Sequence, residues 1–122
     1  MILVDTTVWV DHLRAGDNRL ADLLEGGQVI THPFVIGEIA LGHLVPRQEV
    51  LRLLANLPAA IVATHGEVLA FIDTHRLFGR GIGYIDTHLL AAARLSAGAV
   101  FWTRDKRLHS IAAELGLAMA QA

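Results

Sequence analysis

Residues 2–9 read ILVDTTVW and carry the clearest signal for the fold. The run Ile2-Leu3-Val4 contains no polar residue, which is typical of a strand that is buried on both faces of a parallel sheet. An acid, Asp5, follows the run directly, and residues 7–13 then have the apolar spacing of a short helix. The stretch therefore predicts a buried strand that passes into a helix, with an acid at the carboxyl end of the strand.

The alternation of short β-branched runs with longer helical stretches continues along the chain. Further strands are predicted at residues 28–31, 60–63 and 99–102, with a possible edge strand at 117–119. Helices are predicted at residues 18–25, 33–44, 46–56, 64–77, 84–97 and 105–115. Because no repeat or linker interrupts this pattern, we expect one domain over residues 1–122, with helices on the faces of a parallel sheet.

The composition excludes several classes of protein. Hydrophobic residues make up 53% of the chain and charged residues 18%, which is too apolar for a disordered protein. No apolar run is long enough to predict a membrane span, and no basic region precedes Asp5 as it would in a signal peptide. The chain has no cysteine, which excludes disulfides and thiolate metal sites and agrees with a cytoplasmic location.

The charge balance bears on possible partners. Ten basic residues against twelve acidic ones give a net charge of −2, so the chain is not a protein that coats nucleic acid through overall positive charge. If its substrate is a polyanion, the attraction must be local, from a few arginines or from a bound cation.

Four acids are predicted to meet at one edge of the sheet. In open parallel sheets, sites form at the carboxyl ends of strands beside the topological switch point. Asp5 and Asp105 each follow a predicted strand, and Glu38 lies in the second turn of the helix after strand 28–31. Asp86 lies in the first turn of its helix, and the glycine-rich segment 78–83 is long enough to return the chain to that edge.

A divalent cation would resolve the repulsion among these acids. Glu38 and Asp86 both lie in apolar helical stripes, where we expect burial and where no arginine stands at an adjacent helical position. Ligands that are all oxygen indicate a hard cation, Mg²⁺ or Mn²⁺. Taken singly, Asp5 and Asp105 could equally be helix N-caps and Asp86 could complement a helix dipole, whereas Glu38 has no capping role.

Four segments together resemble the PIN-domain family, and within it the VapC-type toxins of bacterial toxin–antitoxin pairs. These segments read VDTTVW at 4–9, VIGEI at 35–39, GIGYIDTHLLAAA at 81–93 and WTRDK at 102–106. The resemblance implies a three-layer α/β/α sandwich with a parallel sheet of four or five strands. It also implies an Mg²⁺- or Mn²⁺-dependent endoribonuclease that acts on RNA, forms a homodimer and is neutralised by a VapB-type antitoxin.

The resemblance also assigns roles to particular residues. Asp5, Glu38, Asp86 and Asp105 match the family's acidic quartet of catalytic metal ligands. Thr7 and Thr103 match hydroxyl residues that support those acids, although the family often has serine where Thr7 stands. Basic residues that could flank the cleft and bind RNA phosphates, or could simply be solvated, are Arg80, Arg104, Lys106 and Arg107.

Other functions fit less well. A phosphotransferase of the haloacid dehalogenase type needs a second acid two residues after Asp5, where Thr7 stands. A response-regulator receiver needs a lysine at the end of a late strand, and Lys106 lies instead at a helix start. A non-catalytic interaction module with a vestigial acidic site stays open. The apolar helices around 34–44 and 47–57 could bind an antitoxin or could pack in the core, and the sequence does not separate the two.

Overall fold

A computed structural model of the chain describes residues 1–120. The strands are β1 (Ile2–Val4), β2 (Val29–Ile30) and β3 (Val100–Trp102). The helices are α1 (Thr6–Ala15), α2 (Asn18–Glu25), α3 (Pro33–Ala40), α4 (Arg47–Asn56), α5 (His65–His75), α6 (Tyr84–Leu95) and α7 (Lys106–Glu114). Within residues 1–120, no helix has the length and apolar character needed to cross a membrane.

The three strands form one parallel sheet in the order β2-β1-β3. Leu3, at the centre, is paired with Ile30 of β2 on one side and with Phe101 of β3 on the other. The chain therefore leaves β1 towards one edge and later returns to the opposite side. Such a reversal of strand order opens a crevice at the carboxyl ends of the strands, between β1 and β3.

Helices cover the sheet on both faces. Successive side chains of a strand point to opposite faces, and the neighbours Leu3 and Val4 are both fully buried. The same is true of Phe101 and Trp102 in β3, which are 0% and 6% exposed. Both faces are thus packed, which confirms the predicted α/β/α sandwich with a parallel sheet.

The predicted number of strands is wrong. Over residues 1–120 the sheet has three strands, and the predicted strands 60–63 and 117–119 are each reduced to a single bridge nearby, Thr31 with Ala59 and Phe101 with Ala118. At the first of these, only two backbone hydrogen bonds form with Thr31 before the chain turns towards α5. Ala60 is nevertheless 5% exposed. Ile61 and Val62, in contrast, are 55% and 47% exposed, so the segment is only partly buried and its apolar character did not indicate strand pairing.

Local interactions explain where α5 begins and where α3 ends. α5 starts with a capping box, in which Thr64 Oγ1 accepts from the Glu67 amide and Glu67 Oε1 accepts from the Thr64 amide. α3 ends at Ala40 rather than at the predicted residue 44. The guanidinium of Arg47 donates to the Ala40 carbonyl at 2.8 Å, which satisfies one acceptor at that end, and the next residue, Leu41, is 90% exposed.

The central packing predicts a large cost for truncating Phe101. Its ring is fully buried in β3, so Phe101→Ala leaves a cavity and should lower the free energy of unfolding by about 3–5 kcal/mol. Chemical denaturation followed by circular dichroism measures this change. Leu41→Ala is the control, because an exposed side chain should change the value by less than about 0.5 kcal/mol. Equal effects of the two substitutions would contradict this packing.

Candidate active site

Asp5 is a buried carboxylate held by two hydroxyl groups. It is 3% exposed and stands at the N-cap position of α1, yet its side chain makes no capping hydrogen bond. Instead, Asp5 Oδ2 accepts hydrogen bonds from Thr7 Oγ1 and Thr103 Oγ1, each at 2.8 Å. The capping interpretation of Asp5 is therefore wrong, and its side chain is committed to a network that joins the ends of β1 and β3.

The two threonine hydroxyls are themselves oriented by the backbone after β3. Thr7 Oγ1 accepts from the amide of Arg104 at 3.0 Å, and Thr103 Oγ1 accepts from the amide of Asp105 at 3.1 Å. A hydroxyl has one proton, so accepting from an amide leaves that proton for Asp5. Asp5 Oδ1 accepts no hydrogen bond within residues 1–120 and is the oxygen left for a ligand.

The structure brings the four predicted acids together in one cleft. The cleft has a volume of about 570 Å³ and lies at the carboxyl edge of the sheet. Its lining consists of Asp5, Thr6, Thr7, Val10, Asp11, Glu38, Asp86, Arg104 and Asp105. Acids from four separate places in the chain thus face one space, with Arg104 as the one basic residue of the lining within residues 1–120.

The expected burial of Glu38 is wrong. The side chains that α3 buries are Val35 and Ile39, whereas Glu38 is exposed and faces the cleft. Its Oε1 accepts a hydrogen bond from Thr6 Oγ1 at 2.9 Å. Successive residues of a helix point in different directions, so Glu38 can face the cleft while the next residue, Ile39, is buried. An acid beside an apolar stripe is therefore not necessarily buried.

Asp105 and Asp86 enter the cleft in different ways. Asp105 caps α7, because its Oδ1 accepts from the Leu108 amide at 2.9 Å, and it also lines the cleft. Asp86 is half-buried in the first turn of α6. Desolvation raises the pKa of Asp86 above its usual value, and the charge of Asp5 raises it further, with smaller contributions from Asp105 and Glu38. The acids therefore repel one another across the cleft.

A buried histidine that the sequence did not single out positions α3. His32 is fully buried, and its Nδ1 accepts from the Phe34 amide at 3.0 Å as the cap of this helix. Burial lowers the pKa of His32 to about 4, and the nearby His88 lowers it as well. The ring is therefore neutral at pH 7 and keeps the lone pair that capping needs. The capping role of His32 could have been predicted from its position just before Pro33, because proline is a typical first helical residue.

Arg104 is held at the wall of the cleft by two acids outside the predicted quartet, Asp11 and Asp17. Its Nε lies 2.8 Å from Asp11 Oδ2, and its terminal nitrogen lies 2.5 Å from Asp17 Oδ2. Its guanidinium carbon also lies 5.9 Å from the centre of the Trp102 ring. No sequence pattern relates these residues, because they come from three different parts of the chain.

The other basic residues predicted to bind RNA have different surroundings. Arg80 pairs with Glu114 of α7 at 2.5 Å. Arg107 Nη1 lies 3.4 Å from the Gly81 carbonyl, and its side chain occupies the space where a Cβ on residue 81 would be. These two contacts hold the segment that leads to α6 against α7. Lys106, in contrast, is exposed in the first turn of α7.

The carboxylates fit a cation that keeps part of its water shell. Within residues 1–120, no set of three histidine or acidic side chains is arranged to hold one metal ion directly. Mg²⁺ is often bound by one or two carboxylates with water completing its octahedron. The open Asp5 Oδ1 and the repelling acids around it are suited to such an ion, since a dication offsets their charge.

Comparison with known proteins identifies the family. The family model described as "PIN domain" matches residues 2–114. The chain belongs to the PIN-domain family. It is 52% identical over 121 residues to the protein named Ribonuclease VapC32 in two strains of Mycobacterium tuberculosis, covering 99% of this chain and 98% of that protein. The resemblance to PIN-domain proteins of the VapC type is therefore confirmed.

A solved structure shares the fold. FitAcB from Neisseria gonorrhoeae superposes with a TM-score of 0.66 and 21% sequence identity, covering 99% of this chain and 97% of that one. At this identity the likeness concerns the fold alone. It agrees with the layered α/β architecture.

The repulsion at Asp86 predicts that Asp86→Asn stabilises the protein in the absence of metal. A raised pKa means that the folded state releases the Asp86 proton at higher pH than the unfolded state, so stability is lost as pH rises from about 4. The asparagine variant should therefore have the higher melting temperature at pH 7 in a chelator, and its advantage should shrink towards pH 4.

Thermal unfolding from pH 4 to pH 7.5 measures this difference. Asp73→Asn is the matched control, because Asp73 is exposed on α5 and lies outside the cleft. A lower melting temperature for Asp86→Asn at pH 7 would show that its carboxylate is a stabilising group, contrary to the repulsion inferred here.

Proposed function

We propose that this PIN-domain protein is an endoribonuclease that hydrolyses RNA phosphodiester bonds, and that it is the toxin of a type II toxin–antitoxin system. The observation that carries the proposal is the cleft in which Asp5, held by two hydroxyls, meets the other three acids of the predicted quartet. The 52% identity to Ribonuclease VapC32 over nearly the whole chain supports it. A toxin that cuts RNA and is neutralised by a partner antitoxin would act in the cytoplasm.

The acids of the cleft would hold a divalent cation, Mg²⁺ or Mn²⁺. Asp5 is the central candidate ligand because its Oδ1 is open, and Glu38, Asp86 and Asp105 would complete the site, directly or through water. When bound, such an ion lowers the pKa of coordinated water and offsets the negative charge of the scissile phosphate. Binding also relieves the repulsion that raises the pKa of Asp86.

The protein's own groups position this chemistry. Thr7 and Thr103 fix the orientation of Asp5 through their hydroxyl protons. Asp105 is held by its cap on α7, so its remaining oxygen is directed by a rigid helix start. In-line attack of water would break the bond between phosphorus and O3′, which leaves a 5′-phosphate and a 3′-hydroxyl.

Basic residues at the rim would hold the RNA. Arg104 lines the cleft and Lys106 is exposed beside it, so we assign these two to backbone phosphates. Arg80 and Arg107 contribute indirectly, because their contacts with Glu114 and Gly81 hold the segment before Asp86. With a net charge of −2, binding depends on such local cations rather than on the overall field.

An apolar groove beside the cleft would receive a VapB-type antitoxin. Two depressions share Leu13 and Val50, and the second shares Val10 and Glu38 with the acidic cleft. Of the side chains in and around the groove, Leu53 is 69% exposed and Val45 is 81% exposed, so this surface is only partly used for core packing. An antitoxin segment with apolar side chains followed by an arginine would fill the groove and reach the acids.

A second apolar surface is available for a homodimer. Exposed apolar side chains lie before, on and after α5 and at the start of α6, and they include Ile61, Val62, Leu69, Phe78 and Ile85. None of them lines the groove or the cleft. Self-association through this surface would cover them while leaving the antitoxin groove open.

Cleavage should depend on a divalent cation and on Asp5. Incubation of labelled RNA with the full chain should give products with Mn²⁺ or Mg²⁺ and none with a chelator. Asp5→Asn should lower the rate by more than about 100-fold, because even residues that merely orient a metal ligand contribute about 10- to 100-fold. Asp22→Asn is the control, since it makes the same charge change at an exposed position of α2.

Two results would contradict the proposed function. Cleavage by wild type that is unaffected by the chelator would exclude the metal-dependent mechanism. Absence of cleavage on varied RNAs, with Asp5→Asn and wild type indistinguishable, would favour the non-catalytic module.

The hydroxyl of Thr103 should contribute more to activity and to Mn²⁺ binding than its methyl group. Thr103→Val keeps the shape but removes the donor to Asp5, so we expect about a 10- to 100-fold loss of activity and weaker Mn²⁺ binding. Thr103→Ser keeps the donor and should retain most of both. Titration calorimetry with Mn²⁺ and initial cleavage rates measure the two quantities. Equal behaviour of the valine and serine variants would mean that the hydrogen bond does not tune the site.

A further inference from the structure

The two carboxylates on Arg104 form an arrangement that RNA hydrolysis by the four acids does not explain. Asp11 is in α1, Asp17 precedes α2, and both meet a guanidinium that follows β3. The Arg104 side chain is 41% exposed and lines the acidic cleft. An arginine that only joined these elements would have no need to face the cleft as well.

Arg104 has hydrogen-bond donors left after these contacts. A guanidinium carries five N–H groups in a planar fork. The acids engage Nε and one terminal nitrogen, and the other terminal nitrogen donates to no group within residues 1–120. The Trp102 ring lies near the guanidinium and limits its movement further. The remaining donors are thus available to an anion in the cleft.

Asp17 is the better anchored of the two acids. Its Oδ1 accepts from the Leu20 amide at 2.9 Å as the cap of α2, while its Oδ2 binds Arg104. Its side chain is 19% exposed, against 40% for Asp11, which also pairs with Arg14. Both oxygens of Asp17 are therefore occupied, so Asp17 fixes the Arg104 side chain relative to the start of α2.

We propose that Asp17 is a positioning residue, which holds the Arg104 fork at the wall of the cleft so that its open donors bind a backbone phosphate of the RNA. The inference rests on the proposed function and extends it to a residue outside the cleft. A guanidinium that is already held loses less freedom when it binds a phosphate. The Arg104 amide also donates to Thr7, so the fork and Asp5 share one framework.

The chain offers a clean substitution for testing this role. Asp17→Asn keeps an oxygen that can cap α2 but removes the charge that holds Arg104. Asp22→Asn, on α2 itself, makes the same charge change without a contact to Arg104 and is the matched control. Arg104→Ala removes the fork, and Arg104→Lys keeps a charge without the fork.

RNA binding is measured without cleavage. Each variant is placed in an Asp5→Asn background, and fluorescence anisotropy of a labelled single-stranded oligoribonucleotide is recorded over a range of salt concentrations. Arg104→Ala should weaken binding about tenfold and reduce the slope of log K against log salt by about 0.7. Asp17→Asn should weaken binding about threefold with the slope unchanged, and Asp22→Asn should have no effect.

A double-mutant cycle separates positioning from general structural support. If Asp17 acts through Arg104, Asp17→Asn should have no further effect once Arg104 is alanine. In the chain with native Asp5, Asp17→Asn and Arg104→Ala should raise KM for RNA while leaving kcat at saturating RNA nearly unchanged. The KM of Arg104→Lys should lie between the values of wild type and Arg104→Ala.

Several results would overturn the inference. Tighter RNA binding by Asp17→Asn would mean that Asp17 competes with phosphate for Arg104. An unchanged salt slope for Arg104→Ala would exclude the phosphate contact, and an equal effect of Asp17→Asn with and without Arg104 would place its role elsewhere. Failure of the proposed function is a separate result, because wild type would then lack cation-dependent cleavage while the binding measurements would still be informative.

Discussion

The orientation of one buried carboxylate determines the rest of the site. Asp5 cannot be buried at little cost unless its charge is compensated, and two threonine hydroxyls provide part of that compensation at one oxygen. Because Thr7 follows β1 and Thr103 follows β3, the contact forms only when these strands are neighbours with the observed register. The sheet and the site are therefore parts of the same arrangement, and the free oxygen of Asp5 is directed into the cleft by it.

The cleft concentrates negative charge that does not help the fold. Desolvation and neighbouring acids make the ionised form of Asp86 unfavourable, so the metal-free protein keeps repulsion at the place where a cation would bind. Most other features oppose this repulsion by fixing the elements that carry the acids. His32 caps α3, the helix that carries Glu38, and Asp105 caps α7. Arg107 lies against Gly81 in the segment that leads to α6. The stabilising contacts of these elements thus offset the repulsion among the acids at the site.

Sequence reasoning was most successful where a local pattern has one structural outcome. The run at β1 led to the parallel sheet, and the position of Asp5 directly after it led to the acidic edge, because strand ends and switch points follow general rules. It failed where apolar character has two possible causes. The apolar run at residues 60–63 predicts a strand but forms none and is only partly buried, and Glu38 is predicted to be buried but faces the cleft. An apolar pattern by itself decides neither burial nor strand pairing.

The fold class, the family and the set of acids could be predicted from the sequence alone, because they follow from the order of apolar runs, turn residues and carboxylates along the chain. Three features depend on the three-dimensional packing: which oxygen of Asp5 is left open, the contacts of Asp11 and Asp17 with Arg104, and the capping of α3 by a neutral His32. These contacts join residues far apart in the chain. Their distances depend on how helices and strands pack, and local propensity carries no information about such packing.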